Sequence, residues 1–226
     1  MRKAYADGNW DVFAGQVFTE FNRERHVAKE PFNIPHHWPK WASMDWGYAK
    51  PYSVHWHALD NEGRMITYRE LYGYGGSPDV GTYEVASAVA AKVAAFNDPV
   101  PIYADPAMWS KGSTDNKSVA DEFRAKGLSV IQANNGRIDG KNQIHTRLQQ
   151  NSWLIFPACT HIIRTLPTLV YSKIRVEDVD TTQEDHAYDD IRYGAMVHRV
   201  PTGLPKHTKP DYSYVDKPEP VSWMAR

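Results

Sequence analysis

WASMDWGYAKPYSVHWHALDNEGRMITYRELYGYG, residues 41–75, has the pattern of three consecutive β-strands. Apolar and polar residues alternate with the period of two that is typical of a half-buried strand. In the second strand the alternating positions are Tyr52, Val54, Trp56 and Ala58. Asp60-Asn61-Glu62-Gly63 separates the second strand from the third and has the composition of a hairpin turn. We therefore predict a short buried strand followed by a hairpin.

Strands and helices alternate in the rest of the chain. After a glycine-rich loop, GYGGSPD, the spacing of apolar residues changes from two to the helical period. Helices are expected over residues 79–96, 118–128, 140–151 and 184–199, strands over residues 100–105 and 128–134, and a strand with an apolar helix within residues 153–172. A meander followed by crossover connections predicts an α/β domain with a mixed sheet.

Length and composition limit the classes of protein that fit. The 226 residues suit one domain with additional arms, and 42% hydrophobic residues support a real core. A formal net charge of −1 gives no overall basic field, so a polyanion would need a local patch. Cys159 is the only cysteine, which excludes an intramolecular disulfide and a cysteine-based zinc site. No signal peptide or bilayer-spanning apolar run is found, and we expect no membrane partner.

Proline content divides the chain into three regions. Residues 1–40, with KEPFNIPHHWPKW at their end, are expected to form an arm or linker. Residues 41–200 carry the predicted strands and helices and form the expected domain. Residues 201–226 are proline-rich and are expected to form an extended or disordered tail.

Two acidic residues end predicted strands. Asp45 follows the first strand, and Asp105 follows the fourth. If these strands are adjacent and parallel, both carboxylates emerge at one edge of the sheet, where ligands bind in open α/β sheets. A partly buried carboxylate at Asp45 requires a partner, because burial of an unpaired charge is costly.

A third acidic segment, TTQEDHAYDDIRY, lies at the start of the last helix. Thr181 and Glu184 resemble a capping box, which places the helix start near them. On the helix, Asp185 and Asp189 share a face, His186 lies one turn from Asp189, and Asp190 points about 100° further round. Glu184 and Asp185 are also explained by the helix dipole, but Asp189 and Asp190 are not.

Carboxylates from two strands and one helix would form an oxygen-rich pocket. Such a pocket suits Mg²⁺ or Mn²⁺ better than zinc or copper. Two such ions, about 3.5–4 Å apart, activate water and stabilise the leaving oxygen in phosphodiester cleavage. Each acid taken alone is more often a turn or helix-dipole residue, so the prediction depends on all three elements meeting at one edge.

Several other residues are candidates for supporting roles. Lysines and arginines in loops near the acids are candidate phosphate contacts, with solvated loop charge as the alternative; they are Lys50, Lys111, Lys117, Arg137 and Lys141. Glu70, on the third strand, is either a further acid of the metal shell or the partner of an arginine. The remaining histidines, His36, His37, His55 and His57 among them, lack zinc-binding spacing and are interpreted as structural or exposed.

The order MDWGYAKP, YRELYGYGGSP, YADPAMW and EDHAYDDIRYG resembles the nuclease domain of tailed-phage terminase large subunits, over residues 8–198. DGNWDVFAGQVFTEF and PFNIPHHWPKW resemble the linker after the ATPase domain of that family. The resemblance implies an RNase H-like fold and a metal-dependent endonuclease that cuts concatemeric viral double-stranded DNA. It implies Asp45, Asp105 and Asp189 as ligands of two Mg²⁺ or Mn²⁺ ions. His186 corresponds to a histidine found near the third acid in some members.

The resemblance also implies partners and a location. No G-x-x-x-x-G-K-[ST] motif occurs, so we expect the nuclease part without its ATPase. The implied partners are double-stranded DNA, the portal protein, the small terminase subunit and the ATPase domain of the same full-length protein, in the host cytoplasm. Asp185, Asp190 and Glu70 are left as supporting residues around the metal ligands.

Two other hypotheses remain open from the sequence. The same fold is used by junction resolvases and by RNase H, which act on other nucleic-acid shapes. Alternatively, the acids are vestigial and the domain only docks the portal or the small subunit. Metal binding by Asp45, Asp105 and Asp189 would distinguish a nuclease from a docking module.

Overall fold

The computed structural model describes residues 15–47, 50–75, 84–111 and 116–200, together with Tyr212 and Val215. Its strands are β1 (Lys40–Asp45), β2 (Lys50–Leu59), β3 (Met65–Gly75), β4 (Ile102–Ala104), β5 (Val130–Gln132) and β6 (Trp153–Ile155). Its helices are α1 (Arg23–His26), α2 (Ala86–Ala95), α3 (Val119–Ala125), α4 (Arg137–Gln149), α5 (Thr160–Thr165) and α6 (His186–Val197). Short 3-10 helices cover Pro106–Trp109 and Leu166–Thr168.

The strands form one mixed sheet in the order β5-β4-β1-β2-β3-β6. β1, β2 and β3 are consecutive antiparallel neighbours, as the hairpin turn predicts. β4 lies parallel to β1, β5 lies parallel to β4, and β6 lies parallel to β3. The carboxyl ends of β1 and β4 therefore meet at one edge of the sheet.

Each face of the sheet carries its own hydrophobic core. On one face, Ala42, Met44 and Val54 pack with buried residues of α2 and α3. On the other face, Trp41 and the β6 strand pack with α4, α5 and α6. Successive residues of β1 point to opposite faces, so Ser43 and Asp45 lie on the same face as α6.

The segment before β1 packs on the α6 side of the sheet. Val17, Phe18, Phe21 and Phe32 are buried in that core. Backbone bridges join Gln16 to Val170 and Val27 to Ile155. The described part of the predicted arm is therefore folded against the domain, whereas residues 1–14 lie outside the described residues.

Tyr212, in the predicted tail, also packs on the domain. Its ring stacks on Phe32 at a centroid distance of 4.3 Å, and its hydroxyl donates to Asp60 at 2.8 Å. Apart from Tyr212 and Val215, residues 201–226 lie outside the described residues. Among the helices that are described, none has the length and apolar character needed to cross a bilayer.

Most element positions agree with the sequence pattern, with four differences. Ala58 packs with the core opposite to that of Tyr52, Val54 and Trp56, beyond a shift in the β2–β3 pairing at Trp56/His57. The fourth helix begins at Arg137, three residues before the predicted start, so Arg137 lies in a helix rather than in a turn. The helix predicted over residues 79–96 begins only at Ala86, with Val85 as its N-cap residue, and residues 79–83 lie outside the described residues.

The fourth difference concerns the start of the last helix. The predicted capping box of Thr181 and Glu184 is wrong, because α6 begins at His186 and its N-cap residue is Asp185. Glu184 instead accepts hydrogen bonds from Arg164, at 2.6 and 2.7 Å, and from the hydroxyl of Tyr72. The bonds from Arg164 lower the pKa of Glu184 to about 2.

Two glycines allow α6 to lie close to its neighbours. A Cβ atom on Gly194 would lie 2.5 Å from Nε2 of His57 and 2.8 Å from Oγ of Ser43. A Cβ atom on Gly140 of α4 would lie 2.1 Å from Cγ of Arg192. Neither clash can be relieved by a freely moving group, because His57 and Arg192 are buried. The approach of α6 to the sheet and to α4 therefore requires glycine at both positions.

We expect Gly194→Ala to lower the free energy of unfolding by about 1–3 kcal/mol, because overpacking outweighs the helix propensity that alanine adds. Asn142→Ala is the control, because Asn142 is an exposed residue of α4 and alanine there should be neutral or slightly stabilising. Urea denaturation of both variants measures the difference. An unchanged or higher stability of Gly194→Ala would show that α6 does not pack this closely.

Candidate metal centre

Asp45 and Asp105 lie at the shared carboxyl edge of β1 and β4, as predicted. The backbone N–H of Asp105 donates to the carbonyl of Met44 at 3.0 Å, which ties the two acidic positions together. One carboxylate oxygen of Asp105 accepts from the backbone N–H of Ala107 at 2.9 Å at the start of the 3-10 helix. Asp45 is only 7% exposed. The edge thus holds one buried and one half-buried carboxylate.

Helix α6 brings His186 to the same edge. Nδ1 of His186 lies 3.2 Å from a carboxylate oxygen of Asp45. Burial raises the pKa of Asp45 to about 6, and the charges of Asp189 and Asp105 add to this rise while His186 opposes it. Burial lowers the pKa of His186, but the hydrogen bond and charge of Asp45, together with the charge of Asp185, outweigh it and raise that pKa.

Asp185, the N-cap residue of α6, is a buried acid whose side chain lacks a hydrogen bond within the described residues. It is 4% exposed, and its carboxylate makes no hydrogen bond or ion pair with any of the described residues. Burial raises the pKa of Asp185 to about 7, and the charges of Asp189 and Asp45 contribute to the rise. The charges of His186 and Arg137 oppose this rise without cancelling it. A buried acid whose pKa is raised by burial and by neighbouring acids is a feature of functional sites.

Asp189 has the opposite environment. Its carboxylate accepts from Nη1 of Arg137 at 3.2 Å and from Nε of Arg192 at 3.1 Å. Arg192 also donates to the carbonyl of Asn135, and Arg137 also donates to Asp178 at 2.7 Å. Asp189 is therefore neutralised by two arginines that other groups hold in place.

Asp190 does not face the acidic edge. It is fully buried between α6 and β2, where it accepts from Oγ of Ser53 at 2.9 Å and lies 2.5 Å from Nδ1 of His55. The other ring nitrogen of His55 lies 2.9 Å from Glu70. Glu70 also accepts from the backbone N–H groups of His161 and Ile162, at the start of α5. Asp190 and Glu70 thus hold His55 between them, away from the acidic edge.

The two carboxylates determine the charge of His55. Burial favours the neutral imidazole, but Asp190 and Glu70 outweigh it and raise the pKa of His55 to about 9. Both ring nitrogens face carboxylates, so both carry hydrogen. The sequence interpretation of His55 as structural or exposed agrees with its burial but did not identify its two acidic partners. Glu70 pairs with this histidine rather than with an arginine. From the sequence, the pairing of His55 with Glu70 could be found only through the register of β2 and β3, which places the two residues opposite each other.

The candidate phosphate contacts are placed differently from one another. Lys50, Lys111 and Lys117 are exposed, and the charge of Lys50 acts on His186. Lys141 is buried, and its ammonium donates to the carbonyl of Glu177, so it is not a free cation in a loop. Arg137 is engaged by Asp178 and Asp189.

Four carboxylates and one imidazole thus act on one another at the edge of the sheet: Asp45, Asp105, Asp185, Asp189 and His186. Within the described ranges, no three acidic, cysteine or histidine side chains are already arranged to hold a metal ion. The donor set is nevertheless that of a hard divalent cation, because carboxylate oxygens predominate. A cation would compensate the two acids whose pKa values are raised.

No protein-family model matches the chain, and no curated protein sequence matches it. Solved structures do match. The large terminase of one thermophilic bacteriophage aligns with a TM-score of 0.64 and 20% identity, over 81% of this chain and 45% of that chain. The P22 large terminase nuclease domain aligns with a TM-score of 0.65 and 15% identity, over 81% of this chain and 92% of that chain.

A third match is the large terminase nuclease of the thermophilic phage G20c, with a TM-score of 0.56 and 11% identity, over 82% of this chain and 98% of that chain. That structure contains bound cobalt, and another structure of the same nuclease contains bound zinc. The chain therefore has the RNase H-like α/β fold of large-terminase nuclease domains, which confirms the fold predicted from the sequence. It spans less than half the length of the first of these matches, the large terminase.

In metal-free buffer we expect Asp185→Asn to stabilise the protein at high pH. The pKa of Asp185 rises from 3.8 to about 7 on folding, so its favourable contribution is present at low pH and is lost as the pH rises through that range. At about pH 8 the variant should gain at least about 1 kcal/mol over the wild type, and at about pH 5 the gain should largely disappear.

Urea denaturation with EDTA at both pH values measures this difference. Glu122→Gln, which removes a partly exposed carboxylate of α3, is the control and should give the same small difference at both pH values. A variant of Asp185 that is less stable than the wild type at high pH would mean that its carboxylate has a favourable partner.

Proposed function

We propose that this chain is a metal-dependent endonuclease domain of the terminase type, which cleaves double-stranded DNA by phosphodiester hydrolysis. The observation that carries the proposal is the meeting of Asp45, Asp105 and the acids of α6 at the carboxyl edge of β1 and β4. Ligand sites of open α/β sheets lie at this position. The fold is that of large-terminase nuclease domains, which gives the acidic edge a chemical context.

A divalent metal suits this edge better than a purely structural role for the acids. Asp45 and Asp185 have raised pKa values, so their burial destabilises the metal-free protein. A docking module has no need of this unfavourable arrangement, which argues against the hypothesis of vestigial acids. The cobalt and zinc in the G20c nuclease support a divalent ion here. We propose two Mg²⁺ or Mn²⁺ ions, which when bound would activate water and stabilise the leaving oxygen.

The contacts favour Asp185 over Asp189 as the third metal ligand. Arg137 and Arg192 already neutralise Asp189, and a metal ion there would lie near two guanidinium groups. Asp185 makes no hydrogen bond with either arginine, and the charge of Asp45 acts on it. We therefore propose Asp45, Asp105 and Asp185 as the ligands. Asp189 would orient the first turn of α6 through the two arginines.

His186 is the proposed proton carrier of the site. Its Nδ1 is oriented by Asp45, while its Nε2 makes no hydrogen bond within the described residues. A histidine held through one nitrogen can accept or release a proton at the other. We propose that Nε2 of His186 transfers a proton during cleavage, and that Lys50 contributes to holding the phosphate backbone.

The length of the first matched protein supports a proposal for the wider assembly. The large terminase of the first match extends well beyond the region that this chain aligns with. We propose that the chain acts with the ATPase domain of a full-length large terminase, with the portal protein and small terminase subunit as further partners in the host cytoplasm. Double-stranded DNA is the proposed substrate, in preference to the branched or hybrid substrates of junction resolvases and RNase H.

We expect the purified chain to nick or linearise plasmid DNA with Mn²⁺ or Mg²⁺, and EDTA to stop the reaction. Ca²⁺ should bind without supporting much cleavage, since its longer and looser coordination positions water poorly. Agarose-gel analysis of supercoiled plasmid measures the activity. Cleavage that persists in EDTA would overturn the metal-dependent mechanism.

Substitution of each acid by its amide tests the ligand assignment. Asp45→Asn, Asp105→Asn and Asp185→Asn should abolish cleavage and weaken Mn²⁺ binding measured by calorimetry. Asp189→Asn should retain measurable cleavage, with a loss of about 10–100-fold, which is typical of residues that orient metal ligands.

Asp121→Asn is the control, because Asp121 is an acid of α3 on the opposite face of the sheet, and it should cleave like the wild type. Inactive Asp189→Asn beside active Asp185→Asn would restore the assignment of Asp189 made from the sequence.

A further inference from the structure

Two β-branched side chains are exposed at the tip of a loop beside the acidic edge. The apolar loop, residues 172–177, has the sequence SKIRVE. Ile174 is 94% exposed and Val176 is 72% exposed, which is far more than other large apolar residues in the described part of the chain. Contiguous exposed apolar surface marks a contact site, and here two exposed apolar side chains lie two residues apart on one loop.

The backbone of the apolar loop is held by a network of hydrogen bonds. Tyr171 and Val179 form an antiparallel bridge at its base, and the N–H of Ser172 donates to the carbonyl of Asp178 at 2.9 Å. Oγ of Ser172 accepts from the N–H groups of Ile174 and Arg175 at 3.2 and 3.1 Å. The exposure of the tip is therefore imposed by the local fold and does not result from a lack of contacts.

Arg137 connects the apolar loop to the acidic edge. Its Nε donates to Asp178 at 2.7 Å, and its Nη1 donates to Asp189 at 3.2 Å. Lys141 also holds the loop from α4, through the carbonyl of Glu177 and over the ring of Tyr171. One side chain thus joins the base of the loop to the first turn of α6.

Charge decides which partner fits the tip. Lys173 and Arg175 alternate with Ile174 and Val176, and both cations are exposed. Lysine is depleted in protein–protein interfaces, so exposed Lys173 beside the apolar pair argues against a protein partner. Apolar side chains beside lysine and arginine are typical of segments that insert into the minor groove of DNA and wedge between base steps. Exposed Glu177 offsets one of the two positive charges, so the apolar pair carries most of the proposed contact.

We propose that the apolar loop inserts Ile174 and Val176 into the minor groove of duplex DNA, with Lys173 and Arg175 on the flanking phosphates. The minor groove is about 6 Å wide, which fits a narrow tip better than the wide major groove does. The inference rests on the proposed function, since it assigns the duplex next to the acidic edge as the ligand. It adds a contact that fixes the position of the duplex relative to the acids.

The test measures binding of a short fluorescently labelled AT-rich duplex to the full chain in Ca²⁺. Ile174→Ser with Val176→Ser should weaken binding about tenfold or more, since the apolar wedge is lost. Val85→Ser is the matched control, because Val85 is an exposed β-branched residue before α2, and binding should be unchanged. Netropsin, a minor-groove ligand, should displace the wild type and have much less effect on the remaining binding of the double variant.

The outcomes separate this inference from the proposed function. If the wild type cleaves plasmid and the double variant binds the duplex with unchanged affinity and netropsin sensitivity, only the proposed minor-groove contact is overturned. The same holds if the double variant loses self-association but keeps its affinity for DNA, which would identify a protein contact. A wild type that neither binds nor cleaves duplex DNA overturns both proposals. Melting temperatures of the variants, expected to match the wild type because the tip is exposed, exclude loss of folding as the cause.

Discussion

A charged imidazole buried between two carboxylates determines the arrangement of the molecule around its candidate site. His55 lies in the centre of the sheet with no exposure to solvent, and each ring nitrogen faces an acid. Removing one partner of such a buried pair leaves an uncompensated charge, which typically costs about 3–5 kcal/mol. Asp190 of α6 and Glu70 of β3 must therefore stay in place, and Glu70 in turn caps the start of α5.

This constraint fixes which face of α6 is turned toward the acidic edge. With Asp190 held against β2, the residues one turn earlier, Asp185 and His186, reach the carboxyl ends of β1 and β4. Gly194 then lets the far end of the helix contact the sheet. Three acids at the start of this helix thus have distinct environments. Asp190 is buried and paired with His55, Asp189 is neutralised by two arginines, and Asp185 is buried without a hydrogen bond to its side chain. The last of these is the one that a cation would relieve.

Arg137 connects the acids of α6 to the apolar loop. It joins the acids of α6 to the base of the apolar loop, so the two are held together. Since α4 also holds that loop through Lys141, the helix acts as a support for the loop and for the acidic centre together. The position of the apolar loop and the orientation of α6 therefore both depend on contacts with α4.

The sequence alone determined the strand meander, the crossovers and the placement of Asp45 and Asp105 at strand ends, because these depend on local periodicity and on turn residues. It also identified α6 as the source of the remaining acids. It could not distinguish the environments of Asp185, Asp189 and Asp190. The partners His55 and Arg137 lie far away along the chain, and Arg192 is positioned by its packing against Gly140. Burial and pairing distinguish chemically identical carboxylates, and only the tertiary structure brings those partners together.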